Sequence, residues 1–196
     1  MKNEINRIAD RLVKAFNTNT VINPIPVKYC KNINLANKLR KLCEDQIKDE
    51  TIGIKAGGTG IQALKKLKEK EPFTAKVFKK RLVKSGQKVK INQHTKGIEV
   101  EVYYFIKKSF FDFKGKVTKS NVTKFIKFMG PCFEIVGFRQ RNKKFTYLGD
   151  ICGDFGFNIK FVVGRKTKFK KLNLNNLKTS LVSKKNGCLL YTSPAH

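Results

Sequence analysis

The stretch GIEVEVYYF, Gly97 to Phe105, decides the fold predicted for this chain. Apolar and charged residues alternate in its first part, and the residues that follow are all apolar. This pattern is typical of a β-strand that enters a core. Residues two apart along a strand point to the same face, roughly 6.5–7 Å from each other. Glu99 and Glu101 are therefore predicted to share one face, while their apolar neighbours take the other.

Carboxylates are rare in this part of a strongly basic chain. The 196 residues include 43 Lys and Arg against 14 Asp and Glu, a net charge of +29. Between Pro72 and Phe111, Glu99 and Glu101 are the only acidic residues, and Glu134 lies in a second apolar stretch, CFEIV. An unpaired carboxylate buried in a strand costs several kcal/mol, so we expect each of the three to be compensated.

Composition excludes several classes of protein. No apolar run reaches the ~18–20 residues that span a bilayer, and the N-terminus lacks the features of a signal peptide. We therefore expect a soluble, cytoplasmic protein with no membrane partner. The odd number of cysteines, their irregular spacing and the absence of CxxC disfavour a zinc ribbon or a disulfide scaffold. The chain has two histidines, His94 and His196, too few for a histidine metal site.

The positive charge leaves an alternative from another class, a basic RNA-binding protein. Against it, the lysines are spread along the chain, and there is no RNP-like motif or basic arm. A lysine-rich composition explains the charge equally well. We predict non-specific polyanion binding and no specific nucleic-acid partner.

Helical signals dominate the first 50 residues. Apolar residues at helical spacing predict helices over 3–17 and 34–47. A short strand, TIGIK, is predicted to end at Lys55, and Thr59 is predicted to cap a helix over 61–70. Strands are then predicted over 71–78, 84–91, 97–106, 132–138 and 157–164. One helix, from Ser120 to Met129, is predicted between them, so the class is α+β.

Two carboxylates on one strand face and a third on a nearby strand can converge on a divalent ion. Oxygen ligands of this kind suit Mg²⁺ or Mn²⁺. The alternative is that Glu99 and Glu101 form the solvated face of an edge strand and pair with surface lysines. Glu134 is then a buried ion-pair partner. Lys55 is a candidate acid or base if burial lowers its pKa, and otherwise a solvent-facing lysine.

Six segments follow one another along the chain: TIGIKAGGTG, EPFTAKVFKKRLVKSG, GIEVEVYYFI, GPCFEIVGFR, LGDICGDFGFNIKFVVG and NLKTSLVSKKNG. Their order resembles that of the 2-keto-4-pentenoate hydratases of the fumarylacetoacetate hydrolase superfamily, over about residues 33–187. The resemblance implies helices followed by a mixed β-sandwich roll. It implies a metal ion held by Glu99, Glu101 and Glu134, and a small 2-keto acid substrate.

The resemblance also implies catalytic roles for Lys55 and Asp154 in hydratase chemistry, and it is compatible with a homo-oligomer. Related decarboxylase and acylpyruvate hydrolase activities are close alternatives. Where hydratases carry an Asp-Asp pair, this chain has Lys79 and Lys80, and Phe155 replaces an amide.

The chain is predicted to divide into three segments. A helical segment spans 1–50 and a catalytic roll domain, incomplete at its C-terminus, spans 51–187. A non-native tail is predicted over 188–196, because CLLYTSPAH continues no earlier pattern and resembles a translated sequencing adapter. A disordered C-terminus is the alternative for that tail.

Overall fold

The computed structural model describes residues 3–91, 94–171, 178–182 and 189–194. The helices are α1 (Glu4–Thr18), α2 (Lys28–Lys31), α3 (Ile33–Asp45), α4 (Ile61–Leu67) and α5 (Leu148–Cys152). The strands are β1 (Thr51–Gly57), β2 (Phe73–Phe78), β3 (Leu82–Lys84), β4 (Thr95–Ile106), β5 (Ile126–Gly137), β6 (Asn158–Val163), β7 (Thr167–Lys168), β8 (Lys178–Val182) and β9 (Leu189–Pro194).

Helix α1 forms as its sequence predicts. The Asn3 side chain accepts a hydrogen bond from the backbone N–H of Asn6 and so caps the first turn. Asn19 takes the left-handed conformation that commonly ends a helix. The predicted apolar stripe, which includes Leu12 and Phe16, is buried. These contacts confirm the helix predicted over 3–17.

The second predicted helix is also confirmed, as α3. Asn32 caps it by accepting hydrogen bonds from the N–H groups of Asn34 and Leu35. The predicted cap of α4, Thr59, is wrong. The N-cap position is occupied by Gly60, which has no side chain to cap the first turn.

The described strands form three sheets. β1 and β2 pair antiparallel, with Lys55 opposite Ala75. A five-stranded sheet has the order β3-β6-β5-β4, and β7 pairs with β5. β8 and β9 form an antiparallel hairpin that includes Leu189–Pro194 of the predicted tail, whose remaining residues lie outside the described part.

One helix prediction and one strand prediction are wrong. Residues 120–129 do not form a helix: a short 3-10 turn, Val122–Phe125, leads into β5, which begins at Ile126 and not at residue 132 as predicted. Pairing with neighbouring strands outweighs the local helical signal. Of the segment 84–91, only Lys84 is in a strand, because the chain turns at Gly86 with φ of 86°.

The chain divides into two compact units. The first unit contains Met1–Leu82, Lys88–Gly97 and Ile135–Lys160, and the second contains Val83–Gln87, Ile98–Glu134 and Phe161–His196. In the first unit, α1 and α3 pack around a core that includes Phe16, Phe78 and Phe155. This division differs from the predicted boundaries at residues 50 and 187, which stay predictions.

Candidate metal centre

Three carboxylates of the second unit converge. One oxygen each from Glu99, Glu101 and Glu134 can be chosen so that all three lie within 4.8 Å of one another. Glu99 and Glu101 lie on β4 and Glu134 lies on β5, its neighbour in the sheet. The strand spacing therefore predicts the shared face of the first two, and strand pairing brings in the third.

Burial differs among the three carboxylates. Glu99 and Glu101 are exposed, whereas Glu134 is only 2% exposed. The expectation that β4 enters a core is wrong, because none of its residues is buried and Ile98 is 44% exposed. The buried side chains belong to β5 instead, among them Met129 and Ile135. The centre therefore has a buried carboxylate on β5 and two solvent-accessible carboxylates on β4.

The donor set fits a hard divalent cation. Such ions take carboxylate oxygens at about 2.0–2.6 Å, so ligand oxygens on opposite sides of an ion lie about 4–5 Å apart. The 4.8 Å limit that contains the three oxygens matches this spacing. Three negative charges this close repel one another, and a divalent cation between them removes that repulsion.

Cys132 lies two residues before Glu134 on the same strand and was not predicted as part of this region. Burial raises the pKa of its thiol to about 12, and the negative charges of Glu134 and Glu101 act in the same direction. The side chain is 6% exposed. The thiol is therefore protonated at neutral pH. The same two-residue strand spacing that relates Glu99 to Glu101 would have placed Cys132 on the face of Glu134.

Lys55 lies in the first unit and has a defined partner there. Its half-buried ammonium donates a 3.0 Å hydrogen bond to the carbonyl oxygen of Gly156. The accepting turn has an unusual backbone, because Phe155, Gly156 and Phe157 all have positive φ, between 53° and 72°. Two non-glycine residues in this region store conformational energy, a condition common near functional sites.

Asp154, immediately before that turn, is completely buried. Its carboxylate accepts hydrogen bonds from the Arg139 backbone N–H at 2.8 Å and from the Arg139 guanidinium and the Gln140 amide, both at 3.2 Å. The Arg139 side chain is 4% exposed, so the two form a buried ion pair. The catalytic role expected for Asp154 stays a prediction. The described contacts give it a part in holding the fold.

Lys79 and Lys80, at the positions where hydratases carry Asp-Asp, face two acidic residues of the same unit. The Lys79 ammonium lies 2.6 Å from the Glu50 carboxylate, and both side chains are exposed. The backbone N–H of Lys80 donates a 2.9 Å hydrogen bond to Asp49. Carboxylates therefore lie beside this position, although they come from the segment before β1.

Comparisons with known proteins bear on the fold. No protein-family model and no curated protein matches the chain. Solved structures do match, and two of them are of 4-oxalocrotonate decarboxylase from Pseudomonas putida G7. The one complexed with magnesium and adipate matches with a TM-score of 0.72, and the one complexed with calcium and acetate with 0.75. Each is 15% identical, and each match covers 98% of this chain and 73% of that one.

At this identity the likeness shows the fold alone. It confirms the expected mixture of helices and sheets, and the sandwich-roll detail stays a prediction. Among the described residues, no helix has the length and apolar character needed to cross a membrane.

Proposed function

We propose that this chain is a divalent-metal-dependent enzyme of the fumarylacetoacetate hydrolase superfamily that acts on small 2-keto acids. The observation that carries the proposal is the convergence of Glu99, Glu101 and Glu134. Support also comes from the fold, because two of the matching structures are of a decarboxylase complexed with magnesium and adipate, or with calcium and acetate. Mg²⁺ or Mn²⁺ is the proposed ion.

The chain's own residues divide the work in this proposal. Glu99 and Glu101 would hold the ion with exposed carboxylates, and Glu134 would hold it with a buried one. When bound, such an ion supplies Lewis acidity toward the carboxylate and 2-keto oxygens of the substrate. Lys55 is the proposed proton donor or acceptor at a substrate carbon, with its ammonium oriented by the Gly156 carbonyl.

Three reactions compete within this class. Hydration of a 2-hydroxydienoate follows from the sequence resemblance. Decarboxylation of a 2-keto dicarboxylic acid is supported by a specific observation, since two of the matching structures are of 4-oxalocrotonate decarboxylase. The lysines at positions 79 and 80, in place of an acidic pair, weaken the hydratase assignment. Hydrolysis of an acylpyruvate is the third member of the class.

Calorimetric titration with Mn²⁺ tests the metal centre. We expect the pair of substitutions Glu99→Gln and Glu101→Gln, and separately Glu134→Gln, to weaken Mn²⁺ binding by tenfold or more, because each removes negative oxygen ligands. Asp112→Asn is the matched control, since Asp112 is an exposed acid of the same unit. Unchanged Mn²⁺ affinity in the glutamate variants would show that the site assignment is wrong.

A substrate panel then separates the reactions. The wild-type chain is incubated with Mn²⁺ and a 2-hydroxydienoate, oxalocrotonate or an acylpyruvate, and each product is identified by mass spectrometry. Release of carbon dioxide from oxalocrotonate supports the decarboxylase, and addition of water supports the hydratase. Turnover that is equal with and without chelator contradicts a metal-dependent mechanism.

A further inference from the structure

A second feature of the second unit is a basic and aromatic segment, Lys107–Lys127, which we call the Phe/Lys segment. It contains seven lysines and one acidic residue, Asp112. All seven lysines are exposed. They are Lys107, Lys108, Lys114, Lys116, Lys119, Lys124 and Lys127. Positive charge that is spread along most of the sequence is therefore concentrated here, with seven lysines against one acid.

Phenylalanine rings are interleaved with these lysines. Phe125 is half-buried and contacts Phe110 and Phe113, with ring centroids 5.4 Å and 5.0 Å away. Phe111 contacts Phe110 at 5.6 Å and is otherwise open to solvent, with 74% of its surface exposed. Phe110, Phe113 and Phe125 thus form a small apolar base, and Phe111 is presented to solvent.

Hydrogen bonds hold this base in place. The backbone N–H of Lys107 donates to the Phe125 carbonyl at 2.7 Å, and the Lys107 ammonium donates to the Lys124 carbonyl at 2.6 Å. Asn121 accepts from the backbone N–H of Thr118 at 2.8 Å and donates to the Lys116 carbonyl at 2.9 Å. The exposed rings therefore project from an ordered backbone, which lowers the entropy lost when a ligand binds.

A second exposed ring of the same unit, Phe105, lies on β4. It is 54% exposed and packs against Phe128 with centroids 6.1 Å apart. Two ammonium groups, from Lys127 and Lys166, lie 5.4 Å and 5.0 Å from the Phe128 centroid. Rings and cations again lie side by side, as they do in the Phe/Lys segment.

We propose that the Phe/Lys segment, together with Phe105, binds single-stranded nucleic acid without strong sequence preference. Unpaired bases stack on exposed aromatic rings, and neighbouring phosphates are neutralised by lysines. A duplex hides its bases and leaves the rings without a ligand. A second copy of the same surface brings lysines against lysines. A lipid surface favours an amphipathic helix, whereas the Phe/Lys segment contains two short 3-10 turns and the first two residues of β5, and no α-helix.

Fluorescence anisotropy with a labelled oligouridine, measured at several salt concentrations, tests the proposal. Because base stacking on one ring contributes about 1–3 kcal/mol, we expect Phe111→Ala to weaken binding about tenfold and to leave the salt dependence unchanged. The pair Lys114→Gln and Lys116→Gln is expected to lower the slope of log K against log salt by about 1.4, or about 0.7 per phosphate contact.

The chain offers matched controls in the first unit. Phe145 is 52% exposed, so Phe145→Ala removes a comparable ring. Lys65 and Lys66 on α4 are exposed, so their pair of glutamine substitutions removes equal charge. If these controls weaken oligouridine binding as much as the variants of the Phe/Lys segment, the binding is a property of composition and the proposal fails.

The same variants distinguish single-stranded nucleic acid from other possible ligands of the Phe/Lys segment. Duplex RNA that binds as tightly as oligouridine would overturn the proposal, and so would oligothymidine that fails to bind, because stacking and phosphate neutralisation act equally on single-stranded DNA. It would also be overturned if Phe111→Ala abolished binding to phosphatidylserine vesicles, or dimerisation in sedimentation, but left oligouridine binding intact. Glu99→Gln with Glu101→Gln is expected to leave oligouridine affinity unchanged, so the outcome is independent of the metal centre.

Discussion

Asp154 provides the sharpest test of whether a buried carboxylate serves the fold or the chemistry. The perturbation is Asp154→Asn, which keeps the side-chain volume and removes the negative charge. The carboxylate now accepts three hydrogen bonds, two from Arg139 and one from Gln140. An amide has one oxygen to accept them, and its NH₂ group faces donors instead of acceptors.

The magnitude follows from burial. Asp154 is completely buried and the Arg139 side chain is 4% exposed, so solvent cannot replace the lost charge. Losing hydrogen bonds to a charged group costs about 1.5–3 kcal/mol, which we expect for Asp154→Asn. Asp154→Ala leaves the guanidinium buried without a counter-charge and is expected to cost about 3–5 kcal/mol. Phe16 and Phe155, which lie against that guanidinium, offset part of this loss.

The assay is urea unfolding followed by circular dichroism, with turnover measured on the same preparations. Asp112→Asn is the control, because an exposed acid is expected to change the free energy of unfolding by less than about 0.5 kcal/mol. The double variant Arg139→Met and Asp154→Leu is expected to be more stable than Asp154→Ala, since it removes both charges. An unchanged midpoint for Asp154→Asn together with lost turnover would refute the structural role and support the catalytic one.

Two further predictions concern the first unit. Gly156→Ala is expected to lower the melting temperature strongly, because φ is +68° and the new Cβ would lie 2.6 Å from the Cβ of Ala75. Gly86→Ala, with positive φ but open space, is its milder control, and equal melting temperatures would contradict the steric account. Burial opposes ionisation of Asp150, but hydrogen bonds from Lys143 and the backbone of Tyr147 and Thr146 outweigh it and lower its pKa. The ionised Asp150 therefore stabilises the fold at pH values above its pKa in the unfolded chain, and this contribution is lost as pH falls through its lower pKa in the folded chain. The free energy of unfolding of Asp150→Asn is accordingly expected to fall less steeply than that of the wild type below about pH 5.

Periodicity alone located much of the helical part and one feature of the site. The stripe through Leu12 and Phe16 predicted α1, and the i, i+2 spacing of Glu99 and Glu101 predicted their shared face. Both are local properties, set by 3.6 residues per helical turn and by the two-residue repeat of a strand. The chemical argument for compensating a carboxylate in an apolar stretch also singled out Glu134, which is buried.

The features that the sequence did not predict depend on contacts between residues far apart in the chain. Ser120–Met129 has helical propensity, yet strand pairing turns its second half into β5. Strand order, which a single strand does not encode, decided that Glu134 lies beside the β4 carboxylates and that β4 itself stays outside the core. The sequence by itself determined which side chains share a face of one element. Only the tertiary structure decided which faces meet, because pairing and burial depend on residues far apart in the chain.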